Sequence, residues 1–172
     1  MSLKDKKVLT LVDEIYEDLE LLYPIYRLRE EGAKVVVAGK ETDKTYKGKH
    51  GYPTEADVTF SEVNVEEYDG ILVPGGFAPD KLRRYPEVLD FVKHFDKEKK
   101  VIGHICHAGW VLVSADVLDG VKVTSTPAIK DDLKNAGAEW VDEEVVVDGH
   151  IISSRKPDDL PAYMKAIIEK LQ

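Results

Sequence analysis

The single cysteine of this chain, Cys106, follows the short run Val101–Ile105 (VIGHI) with no intervening loop, and His107 stands directly beside it. A nucleophile placed where a buried strand turns at once into a helix is thrust above the rim of a sheet. The start of that helix favours the thiolate over the thiol. Gly103 and Gly109 flank the cysteine as G-x-x-C-x-x-G, small residues that let strand and helix pass closely. Free cysteines are often just small buried hydrophobes, so placement rather than residue type carries the catalytic expectation. At such a turn the His107 imidazole can reach the sulfur as base or ion-pair partner; a solvent-facing histidine is the equal alternative. His104, Cys106 and His107 are too close in sequence for the tetrahedral convergence zinc requires, and no metal or other cofactor is expected.

Two further segments carry groups suited to the same chemistry. Gly75-Gly76 ends the apolar run Gly70–Pro74 (GILVP), and its backbone N–H groups can face an oxyanion, with the Cys106 N–H as a second donor. An ordinary strand-ending turn accounts for the two glycines equally well. Glu17, Asp18 and Glu20 open the helical stretch after the first strand. Acidic residues there commonly complement the helix dipole on a solvated face. One carboxyl held beside a buried thiolate would instead be kept protonated, as a hydrogen-bond donor or proton shuttle.

The elements that must position these groups alternate between strand and helix. Lys7–Val12, Tyr16–Glu31 and Lys34–Gly39 make a βαβ unit whose crossover is expected to be right-handed. Residues 41–61 are polar and Gly-punctuated, with an edge hairpin expected around Gly48–Gly51. Helices are expected over Tyr85–Lys99, His107–Leu118, Ala128–Asn135 and Pro157–Leu171, with a strand at Val121–Thr124. Glu144–Asp148 and His150–Ser153 flank Asp148-Gly149, a preferred hairpin turn. The reading is one α/β domain over residues 1–172: a flavodoxin-like three-layer sandwich with a mostly parallel sheet. In such sheets ligands bind at the carboxyl ends of the strands, here just after Val12, Pro74 and Ile105.

Composition agrees. The chain has 172 residues, 43% hydrophobic and 33% charged, with 24 basic against 33 acidic residues and a net charge of −9. That balance gives no electrostatic reason to hold nucleic acid or an anionic membrane. No apolar stretch is long enough to span a bilayer, the N-terminal apolar run is too short for a signal peptide, and one cysteine cannot form an internal disulfide. A cytoplasmic protein is expected.

Taken in order along the chain, the segments E-D-L-E (17–20) with Pro24, K-G-K-H-G (47–51), Y-D-G-I-L-V-P-G-G (68–76) and A-P-D (78–80) resemble the PfpI family of small intracellular proteins. So do I-C-H-A-G (105–109), N-A-G-A-E-W (135–140), E-V-V-V-D-G (144–149) and S-S-R-K-P-D-D-L-P-A (153–162). The wider superfamily includes the parkinsonism-associated protein deglycase and the glutathione-independent glyoxalases. The resemblance implies Cys106 as nucleophile, Glu17 as the carboxyl hydrogen-bonded to it, and His107 as its partner. It also implies Gly75 and Gly76 as the oxyanion segment, and Asp80 as an acidic residue donated by a neighbouring subunit. A homodimer or hexamer follows from that last role. Many relatives read C-H-G-P where this chain has Cys106-His107-Ala108-Gly109 followed by Trp110, a departure that bears on substrate preference.

The expected activity is a cofactor-independent, cysteine-dependent glyoxalase or deglycase acting on methylglyoxal, glyoxal or early glycation adducts on proteins and peptides. A cysteine peptidase or amidase with an oligomer-dependent Cys-His-acid triad is the alternative. A redox sensor or stress-protective holdase is the non-enzymatic one.

Overall fold

The computed structural model describes residues 2–172; Met1 lies outside the described residues. The strands are β1 (Lys7–Leu11), β2 (Lys34–Gly39), β3 (Thr45–Lys47), β4 (Pro53–Glu55), β5 (Val58–Thr59), β6 (Gly70–Val73), β7 (Val101–Ile105), β8 (Lys122–Val123), β9 (Glu139–Trp140), β10 (Val145–Asp148) and β11 (Ile151–Ser154). The helices are α1 (Asp18–Glu30), α2 (Ala78–Leu82), α3 (Pro86–Lys97), α4 (Gly109–Ser114), α5 (Lys130–Asn135) and α6 (Leu160–Leu171).

Seven strands form one sheet in the order β10-β11-β7-β6-β1-β2-β5. All neighbours are parallel except β10, which pairs antiparallel with β11 through the expected Asp148-Gly149 turn. A sheet covered on both faces needs strands that are apolar throughout. Every residue of β6, β7 and β11 is buried accordingly. The chain steps outward from β1 to β2 through α1, and in the opposite direction from β6 to β7 through α3. Right-handed crossovers in opposite directions place α1 and α3 on opposite faces, and α6 packs beside α1. The reversal occurs at β1, so the crevice for a ligand opens at the carboxyl ends of β1, β6 and β7.

Several expectations are adjusted. The hairpin around residues 48–51 forms, but β3 and β4 make a separate two-stranded ribbon instead of extending the main sheet. The helix expected from His107 to Leu118 is a 3₁₀ turn at Cys106–Ala108 followed by only six α-helical residues, and Asp116 takes φ +58° just beyond it. The apolar pattern overran the helix because Leu118, outside it, is buried as well. In α1 the core face is Leu21, Ile25 and Leu28, whereas Leu19 and Tyr26 remain more than half exposed.

His104, in the centre of the sheet, is fully buried, and burial lowers its pKa from 6.5 to about 4. A buried neutral imidazole makes folding sensitive to acid. Between pH 6.5 and 4 the unfolded chain takes up a proton that the folded one refuses, so stability falls as pH falls through that window. A shift of this size corresponds to about 3 kcal/mol. Urea unfolding at pH 7 and pH 4.5 should show this loss, and His104→Phe should remove most of the difference. Equal acid sensitivity in both proteins would refute the assignment.

Candidate active site

The segments after β1, β6 and β7 are stitched together at the sheet edge. Glu17 N–H donates to the Gly75 carbonyl at 3.1 Å, Phe77 N–H to the Ile15 carbonyl at 2.8 Å, and Tyr16 bridges Gly76. Ile15 (φ +60°) and Cys106 (φ +62°) both hold left-handed backbone conformations. Such a conformation costs a residue with a side chain on the order of 1–3 kcal/mol and persists only where the surroundings enforce it. Cys106 is thus the strained elbow expected from its place directly after β7.

The Cys106 sulfur lies 3.3 Å from His107 Nδ1. The backbone N–H groups of His107 and Gly76 also point at it. The His107 ring is itself held edge-on against Trp110, with ring centroids 5.3 Å apart. Across the sulfur stands the carboxyl of Glu20, only 3% exposed, whose Oε2 accepts the Gly75 N–H at 2.8 Å. Gly75 is the point where acid and thiol converge. A Cβ there would stand 2.3 Å from Glu20 Oε2 and 2.8 Å from the Cys106 Cβ.

Burial governs the protonation of all three groups. It raises the Glu20 carboxyl to about 8, helped by the charge of Glu17 and opposed by the Gly75 N–H and the Cys106 contact. It raises the Cys106 thiol to about 12, with the Glu20 charge adding to the effect and the His107 and Gly76 amides opposing it. It lowers the pKa of His107, as does the charge of Lys49. At neutral pH the resting site is therefore a thiol, a carboxylic acid and a neutral imidazole. The expected helix-stabilised thiolate does not arise. The chain after Cys106 is a 3₁₀ turn and a six-residue helix, too short an array of dipoles to outweigh desolvation.

The carboxyl against the sulfur is that of Glu20, one turn along the helix from the expected Glu17. The reason is local: Glu17 is the N-cap of α1, its Oε2 accepting the Glu20 N–H at 2.9 Å. That leaves Glu20 to project toward β6 and β7. Gly75 is at the site, but its N–H is committed to Glu20, so the amides of Gly76 and His107 are the donors aimed at the reacting atoms. Asp80 is on α2, ion-paired with Arg84 at 2.6 Å, and does not line the cavity of its own chain.

That cavity measures about 260 Å³. Cys106, His107, Glu20 and Gly76 form its floor, and Glu17, Lys49, His50, Phe77 and Pro157 its walls. Residue type and spacing assign no site role to Lys49, Phe77 or Pro157, although Lys49 and Pro157 lie in the segments 47–51 and 153–162 that carry the family resemblance. The 48–52 turn reaches the site because Asp18 accepts the His50 and Tyr52 N–H groups, at 2.8 and 3.0 Å. Pro157 is held by Arg155, whose Nε and Nη2 bond the two Asp159 oxygens at 2.9 and 3.1 Å. Donor atoms of Glu17, Asp18 and His50 lie within 4.8 Å of one another. Asp18 spends both oxygens on backbone amides and Glu17 one on the helix start, so this cluster is a brace between α1 and the turn.

A three-layer α/β domain with a strained cysteine elbow and a buried acid against its sulfur defines a class of protein that comparison identifies directly. Residues 6–170 match the DJ-1/PfpI family, and the chain belongs to it. It is 48% identical over 166 residues to a deglycase of Pyrococcus horikoshii, covering 96% of this chain and 99% of that one. It is 40% identical over 167 residues to YraA of Bacillus subtilis, whose name places it provisionally among the cysteine proteases; 97% of this chain and 99% of that one are covered. Among solved structures, a two-domain protein of Anabaena variabilis with DJ-1/ThiJ/PfpI-like and ferritin-like domains superposes with a TM-score of 0.95 at 41% identity. That match covers 96% of this chain and 48% of the Anabaena one. Among the described residues, no helix is long and apolar enough to cross a membrane.

Proposed function

We propose that this protein is a cofactor-independent deglycase or glyoxalase that acts on small reactive carbonyl compounds and early glycation adducts through Cys106. The observation that carries this reading is the buried Glu20 carboxyl, its pKa raised to about 8, against the Cys106 thiol on the floor of a 260 Å³ cavity. In that arrangement the sulfur attacks the aldehyde carbon of methylglyoxal while the neutral His107 Nδ1 takes the thiol proton. Glu20 protonates the carbonyl oxygen as the S–C bond forms, giving a hemithioacetal. The resulting Glu20 carboxylate removes the proton from C1 and returns it at C2, leaving a thioester. Water cleaves the thioester, releasing lactate and restoring the thiol. No oxidant or reductant is consumed, because C1 is oxidised as C2 is reduced.

The names of the relatives support the same reading and keep a peptidase in view. The cavity, at about 260 Å³, has the size of a small molecule rather than of an extended peptide, which favours the small carbonyl. Self-association as a dimer or hexamer, with Asp80 reaching a neighbouring site, belongs to this proposal. Leu19, Tyr23, Tyr26 and Tyr52 line an exposed groove of about 830 Å³ on and beside α1, apolar surface of the kind a second copy covers. A cytoplasmic setting suits a lone free thiol.

The test is lactate formation from methylglyoxal without glutathione. The wild-type protein should turn over, and Cys106→Ala should lose at least about 10³-fold, since the covalent route vanishes with the nucleophile. An unchanged rate in Cys106→Ala would sink the proposal.

A further inference from the structure

Lys49 is the cation in the wall of the Cys106 cavity, and among the described residues it has no ion-pair partner. Its backbone is fixed. Lys49 N–H donates to the Tyr16 carbonyl at 2.7 Å, the turn closes through Gly51 N–H to the Gly48 carbonyl at 2.9 Å, and Asp18 holds the amides of His50 and Tyr52. The ammonium acts on the reacting groups, because its charge favours ionised Glu20 and disfavours protonated His107.

The charges around it are few. Glu20 and His107 are neutral at neutral pH for the reasons given above. Glu17, which also lines the cavity, and Asp18 are the nearby carboxylates, and both are engaged: Glu17 Oε2 accepts the Glu20 N–H and Oε1 lies 3.6 Å from His50 Nε2, while Asp18 accepts the His50 and Tyr52 N–H groups. In a chain of net charge −9, whose surface repels anions, the reactive cysteine thus sits beside an uncommitted positive charge.

We infer that Lys49 is a specificity-determining residue that makes the cavity receive carbonyl compounds carrying an anionic group, a carboxylate above all, a few carbons from the aldehyde. This deepens the carbonyl-enzyme reading and rests on it for turnover, although anion preference at Cys106 can be measured without turnover. The chemistry is that already described. A 2-oxoaldehyde bearing a carboxylate adds the thiol at its aldehyde carbon, shifts one proton from C1 to C2 and is released by water as a 2-hydroxy acid, while Lys49 holds the remote carboxylate.

Because Cys106 is the only cysteine, alkylation reports on this site alone. The ratio of its rates with iodoacetate and iodoacetamide, reagents differing in one negative charge, should fall about 5- to 20-fold in Lys49→Met at low salt. Lys49→Arg should keep the ratio near wild type. Lys47→Met, which removes the same charge outside the cavity, should change it less than about twofold. With substrates, kcat/KM for 4,5-dioxopentanoate relative to that for methylglyoxal should drop by a similar factor in Lys49→Met, through KM. A ratio unchanged in Lys49→Met, or lowered equally in Lys47→Met, overturns the inference. If the ratio falls as expected but neither aldehyde is turned over, the anion preference stands and the carbonyl-enzyme reading is what fails.

Discussion

Glu20→Gln should lower kcat/KM for lactate formation by about 10²–10⁴-fold, the range expected when a positioned acid–base group is lost. Glutamine retains the size of the side chain and can still accept the Gly75 N–H, so the site stays assembled while its transferable proton is gone. The wild-type pH profile carries a second signature. Glu20 acts as the acid, and its pKa is raised to about 8, so activity should decline as pH rises through that value. The alkaline limb should be missing from the residual activity of Glu20→Gln. Glu17→Gln should cost less than about tenfold, because Glu17 supports the helix start and acts on Glu20 and Cys106 through its charge without touching the sulfur as the first of them does. Steady-state rates between pH 5.5 and 9.5 for the three proteins check this. A larger loss for Glu17→Gln than for Glu20→Gln would mean that the wrong carboxyl has been assigned.

Gly76→Ala should be the most damaging single methyl group in the protein. Gly76 has φ +77°, and an added Cβ would stand 2.4 Å from the Glu17 nitrogen, 2.5 Å from the Ile15 oxygen and 2.7 Å from the Tyr16 carbonyl carbon. These are backbone atoms of the segment stitched to this turn, so no side chain can swing aside. Relief requires separating the segments after β1 and β6, which breaks the bridge between Tyr16 and Gly76 and withdraws the amide aimed at the sulfur. A loss of about 3 kcal/mol or more is expected, at the upper end for overpacking. Gly149→Ala supplies the contrast. Its φ of +60° is also left-handed, but nothing lies within 4 Å of the new methyl, so only the conformational cost of about 1 kcal/mol remains. Chemical denaturation of both variants measures the difference, and equal losses would contradict the steric account.

The order of strand and helix, the elbow at Cys106 and the gathering of segments after β1, β6 and β7 were all legible in the sequence. They follow from local signals: short apolar runs, glycine stops and a cysteine with no loop before it. The boundary of α4 was not, because burial of Leu118 continued the apolar pattern past the last helical turn. The two-residue strands β5 and β9 are too short to carry any periodicity, whereas β8 falls within the strand expected at Val121–Thr124. Glu17 and Glu20 were both visible as acidic residues at a helix start. Their roles were decided by which one capped the helix, a matter of one turn of rotation and of the Gly75 amide presented from another strand. Lys49 enters the cavity through hydrogen bonds of Asp18 to amides 32 and 34 positions away, and Pro157 through a local bond of Asp159 to an amide 4 positions away, neither of which periodicity reveals. The low thiol pKa expected from position alone failed for a similar reason: desolvation depends on what surrounds the sulfur, not on what precedes it.

The proposed chemistry depends on a single pairing, the thiol of Cys106 with the acid of Glu20. The most direct measurement is the pH dependence of Cys106 alkylation by iodoacetamide in wild type, Glu20→Gln and Glu17→Gln. Removing the Glu20 charge while leaving an amide able to donate to the sulfur should move the alkylation limb to lower pH by about one unit or more, with Glu17→Gln shifting it much less. A limb that stays in place in Glu20→Gln, or moves only in Glu17→Gln, would contradict it.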